Sequence, residues 1–239
     1  MRYSNIYANT QSKTFDGDLR DYMHLIYKYM GLSLFISAAV AFVVGTNQTL
    51  LRFFFSNMLM ALIVQLSPLF FMFNLSKTIF TGSAEEARTK LFIFAGLMGI
   101  SLSTIFAVYA RQDITSAFLV SGSMFGGMSL YGYVTKKDLT GLGSFLMMGV
   151  MGLLFASLIN IFFRSGAMSF GLSCISVLIF TLYTAYDVQN LKNLHSYASL
   201  SGGDMREKIA VMGALRLFMD FINIFTSVLH IMSRLNDRR

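Results

Sequence analysis

The chain has 239 residues, of which 55% are hydrophobic and only 13% charged, about half the roughly 25% of a soluble domain. That is more apolar side chain than one core could hide, so lipid is its expected solvent. The net charge of +7 is spread over single and paired Lys and Arg residues, which excludes a nucleic-acid patch, and the lone Cys174 excludes an internal disulfide.

The first 28 residues carry charges rather than an apolar leader core. They are predicted to be a cytoplasmic tail, 1–28, before a first helix that serves as an uncleaved insertion signal. Uncharged runs follow at 29–51, 53–76, 91–110, 114–135, 139–163 and 165–186, each of the length needed to cross a bilayer, about 20 residues of helix. The second holds the only proline, Pro68, whose missing N–H frees the carbonyl of Val64 and makes it a hinge candidate. The third places Ala95, Gly99, Ser103 and Ala107 at intervals of four, and the fourth contains Gly122 and Gly126; both spacings predict close helix packing. A polar connector over 191–208 leads to a last apolar stretch, 209–233, with Arg216, Asp220 and His230 inside it.

The runs are continuous, whereas barrel strands would alternate polar and apolar residues, so the spans are helices. The predicted fold is an all-α polytopic membrane protein with seven transmembrane helices in a single domain, 29–233, and a C-terminal tail, 234–239. On the N-terminal side the loops hold 12 Lys and Arg residues against 6 on the other, which predicts a cytoplasmic N-terminus and an external C-terminus.

In the last span Arg216, Asp220, Asn223, Ser227 and His230 follow one another at steps of 4, 3, 4 and 3 residues, a narrow polar stripe on one helical face. An unpaired charge at mid-bilayer costs at least about 2.5 kcal/mol, so this stripe is expected to face other helices and its helix to be central. The sixth span offers a matching face in Ser169, Ser173, Ser176, Tyr183, Thr184 and Asp187, which makes Asp187 and Asp220 expected neighbours. Alternatives stay open at this stage: Asp187 near its helix end reaching interfacial water, Asp220 paired with Arg216 one turn away, and His230 as an interfacial residue.

Three segments carry a resemblance. Tyr183-Thr184-Ala185-Tyr186-Asp187-Val188-Gln189, the run from Ala214 through Arg216 and Asp220 to Phe225, and Ser129-Leu130-Tyr131-Gly132 with Thr135-Lys136-Lys137-Asp138-Leu139-Thr140 resemble the transmembrane Bax inhibitor motif family from about Lys28 onward. The resemblance implies six helices around a central seventh and a pH-sensitive calcium leak governed by two aspartates, here Asp187 and Asp220, with Arg216, Asn223 and Tyr183 modulating the gate. It departs from the family in the long connector, in the charge at Arg216, and in lacking a mid-helix arginine in the second span.

Elementary chemistry supports such a gate. Two carboxylates held together away from water share one proton, and losing it drives them apart. Calcium takes 6–8 oxygen ligands, so Asp187 and Asp220 with Asn223 offer only a weak, transient metal site. No resident cofactor is expected; calcium is the candidate permeant ion. A competing enzyme reading, an intramembrane aspartyl protease, fits Tyr186-Asp187 and Asp220 but lacks the Gly-x-Gly-Asp signature, since Leu217-Phe218-Met219 precedes Asp220. A non-conducting regulator of membrane proteolysis or stress survival is the third reading. The expectation is therefore a non-enzyme, a monomer in the bacterial inner membrane, with the bilayer and other membrane proteins as partners.

Overall fold

The structure is a computed structural model that describes the backbone of residues 2–236 and the side chains of 17–78 and 81–236. Its elements are α1 (Arg2–Thr46), α2 (Gln48–Phe55), α3 (Met58–Thr81), α4 (Ala84–Leu102), α5 (Ile105–Val108), α6 (Arg111–Val134), α7 (Thr140–Phe163), α8 (Gly166–Leu200) and α9 (Gly203–Asn236). There is no strand among the described residues. Lipid offers no partner to a free amide or carbonyl, so each uncharged run closes its hydrogen bonds within a helix. Six segments are long and apolar enough to cross a membrane: α1 from Gly17, α3, α4 with α5, α7, α8 and α9. The expected span at 114–135 forms α6 but falls outside these six, because glycines and serines from Ser121 to Gly132 dilute its hydropathy.

Short polar residues set the boundaries. Asn47 and Asn57 accept amides at the starts of α2 and α3, and Ser83 and Ser165 do so for α4 and α8. Arg52 is therefore not a bare loop between spans: it lies in α2, a short helix with no buried residue. Nor is the N-terminal segment a separate tail. The helix is continuous from Arg2 to Thr46, and Leu19, Tyr22, Met23 and Ile26 are core residues. The connector expected at 191–208 is also helical, except for Ser201 and Gly202. Gly202 adopts φ 84°, the left-handed turn that closes α8 and admits glycine without strain. Residues 234–236 of the expected C-terminal tail belong to α9; Met1 and 237–239 lie outside the described residues.

The short turn makes α8 and α9 a long antiparallel pair, and α9 also packs on α1, α4 and α6. It is the most buried of the six candidate spans. Phe218 meets Phe94 edge-on at 5.8 Å, and Phe221 meets Phe125 at 5.8 Å, contacts that fix the rotation of α9. By contrast α3 leans on α4, and α7 packs on α8 rather than on α9. These two outer helices present Phe70, Phe73, Phe145, Phe155 and Phe162 outward. Pro68 leaves α3 unbroken, and the Val64 carbonyl accepts the Ser67 hydroxyl at 2.9 Å, which offsets the lost amide.

Close approach occurs at other glycines than the fourth span suggests. A methyl group on Gly122 or Gly126 would meet nothing within 4 Å, whereas one on Gly99 would come 2.6 Å from the Ser37 carbonyl oxygen. One on Gly132 would strike the backbone carbonyl of Ala185 on α8. Gly132→Ala is thus expected to cost about 1–3 kcal/mol through overpacking. Gly126→Ala should gain about 0.5–1 kcal/mol from helix propensity. Thermal unfolding in detergent measures both; equal effects would show that α6 and α8 separate there without strain.

Candidate functional site: an aspartate pair between two helices

Asp187 and Asp220 are each only 4% exposed, carried on the packed faces of α8 and α9. Asp220 lies in the electrostatic field of Asp187 and of Arg216, and Asp187 in that of Arg216. Tyr183, one turn along α8, faces the same three charges. Four of the predicted site residues, Asp187, Asp220, Arg216 and Tyr183, thus lie within electrostatic reach of one another. No hydrogen bond joins the carboxyls among the described residues, and Oδ2 of Asp220 is buried without a partner. Such an atom costs desolvation energy unless a proton or a cation visits it.

Arg216 does not form an ion pair with Asp220 among the described residues; it is exposed on the surface of α9. Asn223 commits its amide to the Met219 carbonyl at 2.9 Å on its own helix, so only its oxygen is available to a cation. No group of three or more His, Cys, Asp or Glu side chains gathers among the described residues. Two carboxylates and a few neutral oxygens suit a passing calcium ion better than a held one.

Beyond the pair, towards the C-terminal end of α9, a cleft of about 730 Å³ opens between α7, α8 and α9. The polar face predicted for the sixth span lines it through Ser169, Ser173 and Ser176, and α9 contributes Asn223, Ser227 and His230. Ser227 bonds Ser176 at 2.8 Å across the two helices. The cleft reaches Asn223, one turn from Asp220. His230 packs against Tyr109, with 3.4 Å between the Tyr hydroxyl and Nδ1.

Two polar assemblies have no counterpart among the predicted site residues. Gln189, only 9% exposed, accepts the Leu139 amide at 2.8 Å and donates to the Lys137 carbonyl at 2.8 Å. It clamps the turn between α6 and α7, where Asp138 accepts the Thr140 amide at 2.9 Å. The second assembly ties α1 to the α8–α9 turn. Asp18 receives the Ser199 hydroxyl at 2.7 Å and pairs with Arg206 at 2.6 Å and His195 at 2.9 Å. Beside it Glu207 accepts from the Tyr29 hydroxyl at 2.5 Å and pairs with Arg88 at 3.3 Å. The apolar spacing Leu19, Tyr22, Met23, Ile26, at i, i+3, i+4 and i+7, is the sequence pattern that places Asp18 on a helix packed into the bundle.

The chain is similar to known proteins along most of its length. A family model described as "Inhibitor of apoptosis-promoting Bax1" matches residues 19–237. The inner membrane protein YbhL of Escherichia coli is 36% identical over 89% of this chain and 91% of its own length. A Rickettsia prowazekii protein is 34% identical over 97% and 96% of the two chains, and one from Deinococcus radiodurans 38% identical over 94% of each. With nearly the whole helical bundle matched, the chain belongs to the Bax inhibitor family and is an integral, multi-pass membrane protein.

Proposed function

We propose that this protein is a pH-sensitive leak for calcium or a similar cation, gated by Asp187 and Asp220. The observation that carries this reading is the burial of both carboxylates on facing helices, with Oδ2 of Asp220 unpartnered. One shared proton draws α8 and α9 together; with none, repulsion separates them and leaves oxygen ligands for a hard cation. The polar cleft that ends one turn from Asp220 supplies the approach from one side. On the other, exposed Arg216 sets the local field and opposes cation entry. Flux of calcium into liposomes holding the pure protein tests the reading. Flux that rises as pH rises is expected, and no flux at any pH would leave a non-conducting regulatory protein as the function.

The leak reading includes seven spans, with α6 crossing the membrane and α9 at the centre, in a bacterial inner membrane with the N-terminus cytoplasmic. The name of the Escherichia coli relative, an inner membrane protein, and the 12 to 6 asymmetry of Lys and Arg support that placement. Packing α6 against both α8 and α9 supports a span poor in hydropathy, because its small-residue face needs no lipid. Reporter fusions are expected to place Glu85, Lys136 and Gly202 inside and the C-terminus outside. Both termini on one side would mean that α6 does not cross.

A further inference from the structure

The cleft between α7, α8 and α9 carries a second feature that cation passage does not require. Arg164, from the end of α7, and Arg234, from the last turn of α9, both line it, and among the described residues no carboxylate does. Neither arginine forms an ion pair or a side-chain hydrogen bond among the described residues. Among the described residues Asp113 on α6 is the acid near this end, and it is engaged by Asn236 at 2.7 Å. Arg234 presses its guanidinium against Gly166, the first residue of α8. The last turn of α9 suits this cation, whereas the start of α8 that it faces carries about half a positive charge and does not.

The donors around the arginines are partly committed. Ser165 caps the Met168 amide, Asn160 accepts the Ser165 amide at 3.1 Å, and its own amide donates to Ser169 at 2.7 Å. The amides of Gly166 and Ala167, first in the helix, have no helical partner. Arg164 itself adopts φ 49°, a left-handed position where glycine is the usual residue. The cleft thus has an arginine at each side of the start of α8, Arg164 exposed and Arg234 half-buried, with two unspent amides nearby. The opposite wall, on α7, is apolar through Val150, Leu153, Leu154 and Leu158.

We propose that this cleft binds the phosphate group of an anionic ligand, held by Arg164, Arg234 and the first amides of α8. Paired guanidinium groups match phosphate oxygens in geometry and charge, and a helix start adds directed amides. The apolar α7 wall suits an acyl chain, so a lipid headgroup is the favoured source; free phosphate offers the same chemistry. The proposal stands whether or not the protein conducts, because its readout is binding.

The test uses the full chain in a neutral detergent, with three probes: dioctanoyl phosphatidic acid, dioctanoylglycerol with the same chains and no phosphate, and inorganic phosphate. Native mass spectrometry and thermal unfolding read the complex. The phospholipid is expected to bind and raise the unfolding midpoint, and the diacylglycerol to do neither. Arg164→Gln and Arg234→Gln should each weaken binding about tenfold, the loss of one charge-assisted contact. Arg164→Gly provides a control for folding, since glycine relieves the left-handed backbone; it should bind as weakly while unfolding no earlier than the parent chain. If inorganic phosphate binds with the same dependence on the arginines, the proposal holds with a free anion as the source. Equal binding of diacylglycerol, or full phospholipid binding by Arg164→Gly and Arg234→Gln, would overturn it.

Discussion

Replacing either Asp187 or Asp220 by Asn is expected to remove most of the pH dependence of cation flux measured from about pH 5 to 8. Both groups are inside the bundle and close enough for Asp187 to act on Asp220 electrostatically. An Asn at either position retains hydrogen-bonding capacity but leaves one carboxylate with no like charge to repel it. The proton-sharing state and the repelled state then cease to exist together. Flux should become nearly flat with pH in each single variant, and the double variant should add little, because groups acting as one unit are non-additive. Two independent, additive shifts would show that the carboxylates titrate separately, and the gate would have to be sought elsewhere along α9. The protein's unfolding midpoint is expected to hold or rise in both variants, since a buried charge is replaced by a neutral amide.

The aspartate pair was legible because a charge in an apolar run has few places to go. Asp220 at mid-span, flanked at helical spacing by polar residues, can only face other helices, and the buried pair in α8 and α9 follows. The order of the helices was legible for the same reason: charge-free runs of bilayer length must close their own hydrogen bonds. What was not legible depended on contacts distant in sequence. Gly122 and Gly126 have the spacing of a packing motif, yet the backbones meet at Gly132 and Gly99, because the rotation of a helix is set by its partners. Helix ends at the polar borders are not legible from charge, because charge there does not mark a loop. There Asp18, Arg206, Glu207 and Lys208 are polar because they bind one another and neighbouring helices. Lys208, 7% exposed, donates to the Gly82 carbonyl at 2.9 Å and pairs with Asp204 at 3.0 Å. Arg216 could be placed on the stripe by spacing, but one turn along α9 from buried Asp220 it is exposed.

Gln189→Ala is expected to destabilise the fold near the site by about 1–3 kcal/mol. Its carboxamide links two motifs that sequence alone leaves separate, the Tyr186-Asp187-Val188-Gln189 end of α8 and the Thr135 to Thr140 turn. Truncation leaves the Leu139 amide and the Lys137 carbonyl unpaired, each worth about 1–3 kcal/mol where water cannot replace the lost partner. Leu139 is only 7% exposed, so that condition holds for its amide. Gln189→Glu separates the two bonds. An ionised Glu keeps the acceptor for the Leu139 amide but turns a carboxylate oxygen toward the Lys137 carbonyl, losing a donor and adding repulsion. A protonated Glu recovers one O–H donor. The Glu variant should therefore fall between the parent chain and Gln189→Ala, and its deficit should shrink as pH falls. Thermal unfolding in detergent across pH measures this. A loss below about 0.5 kcal/mol for Gln189→Ala, the scatter of an ordinary surface substitution, would mean that the turn holds its shape through Asp138 and Thr140 alone, and that Gln189 is a passenger in the motif.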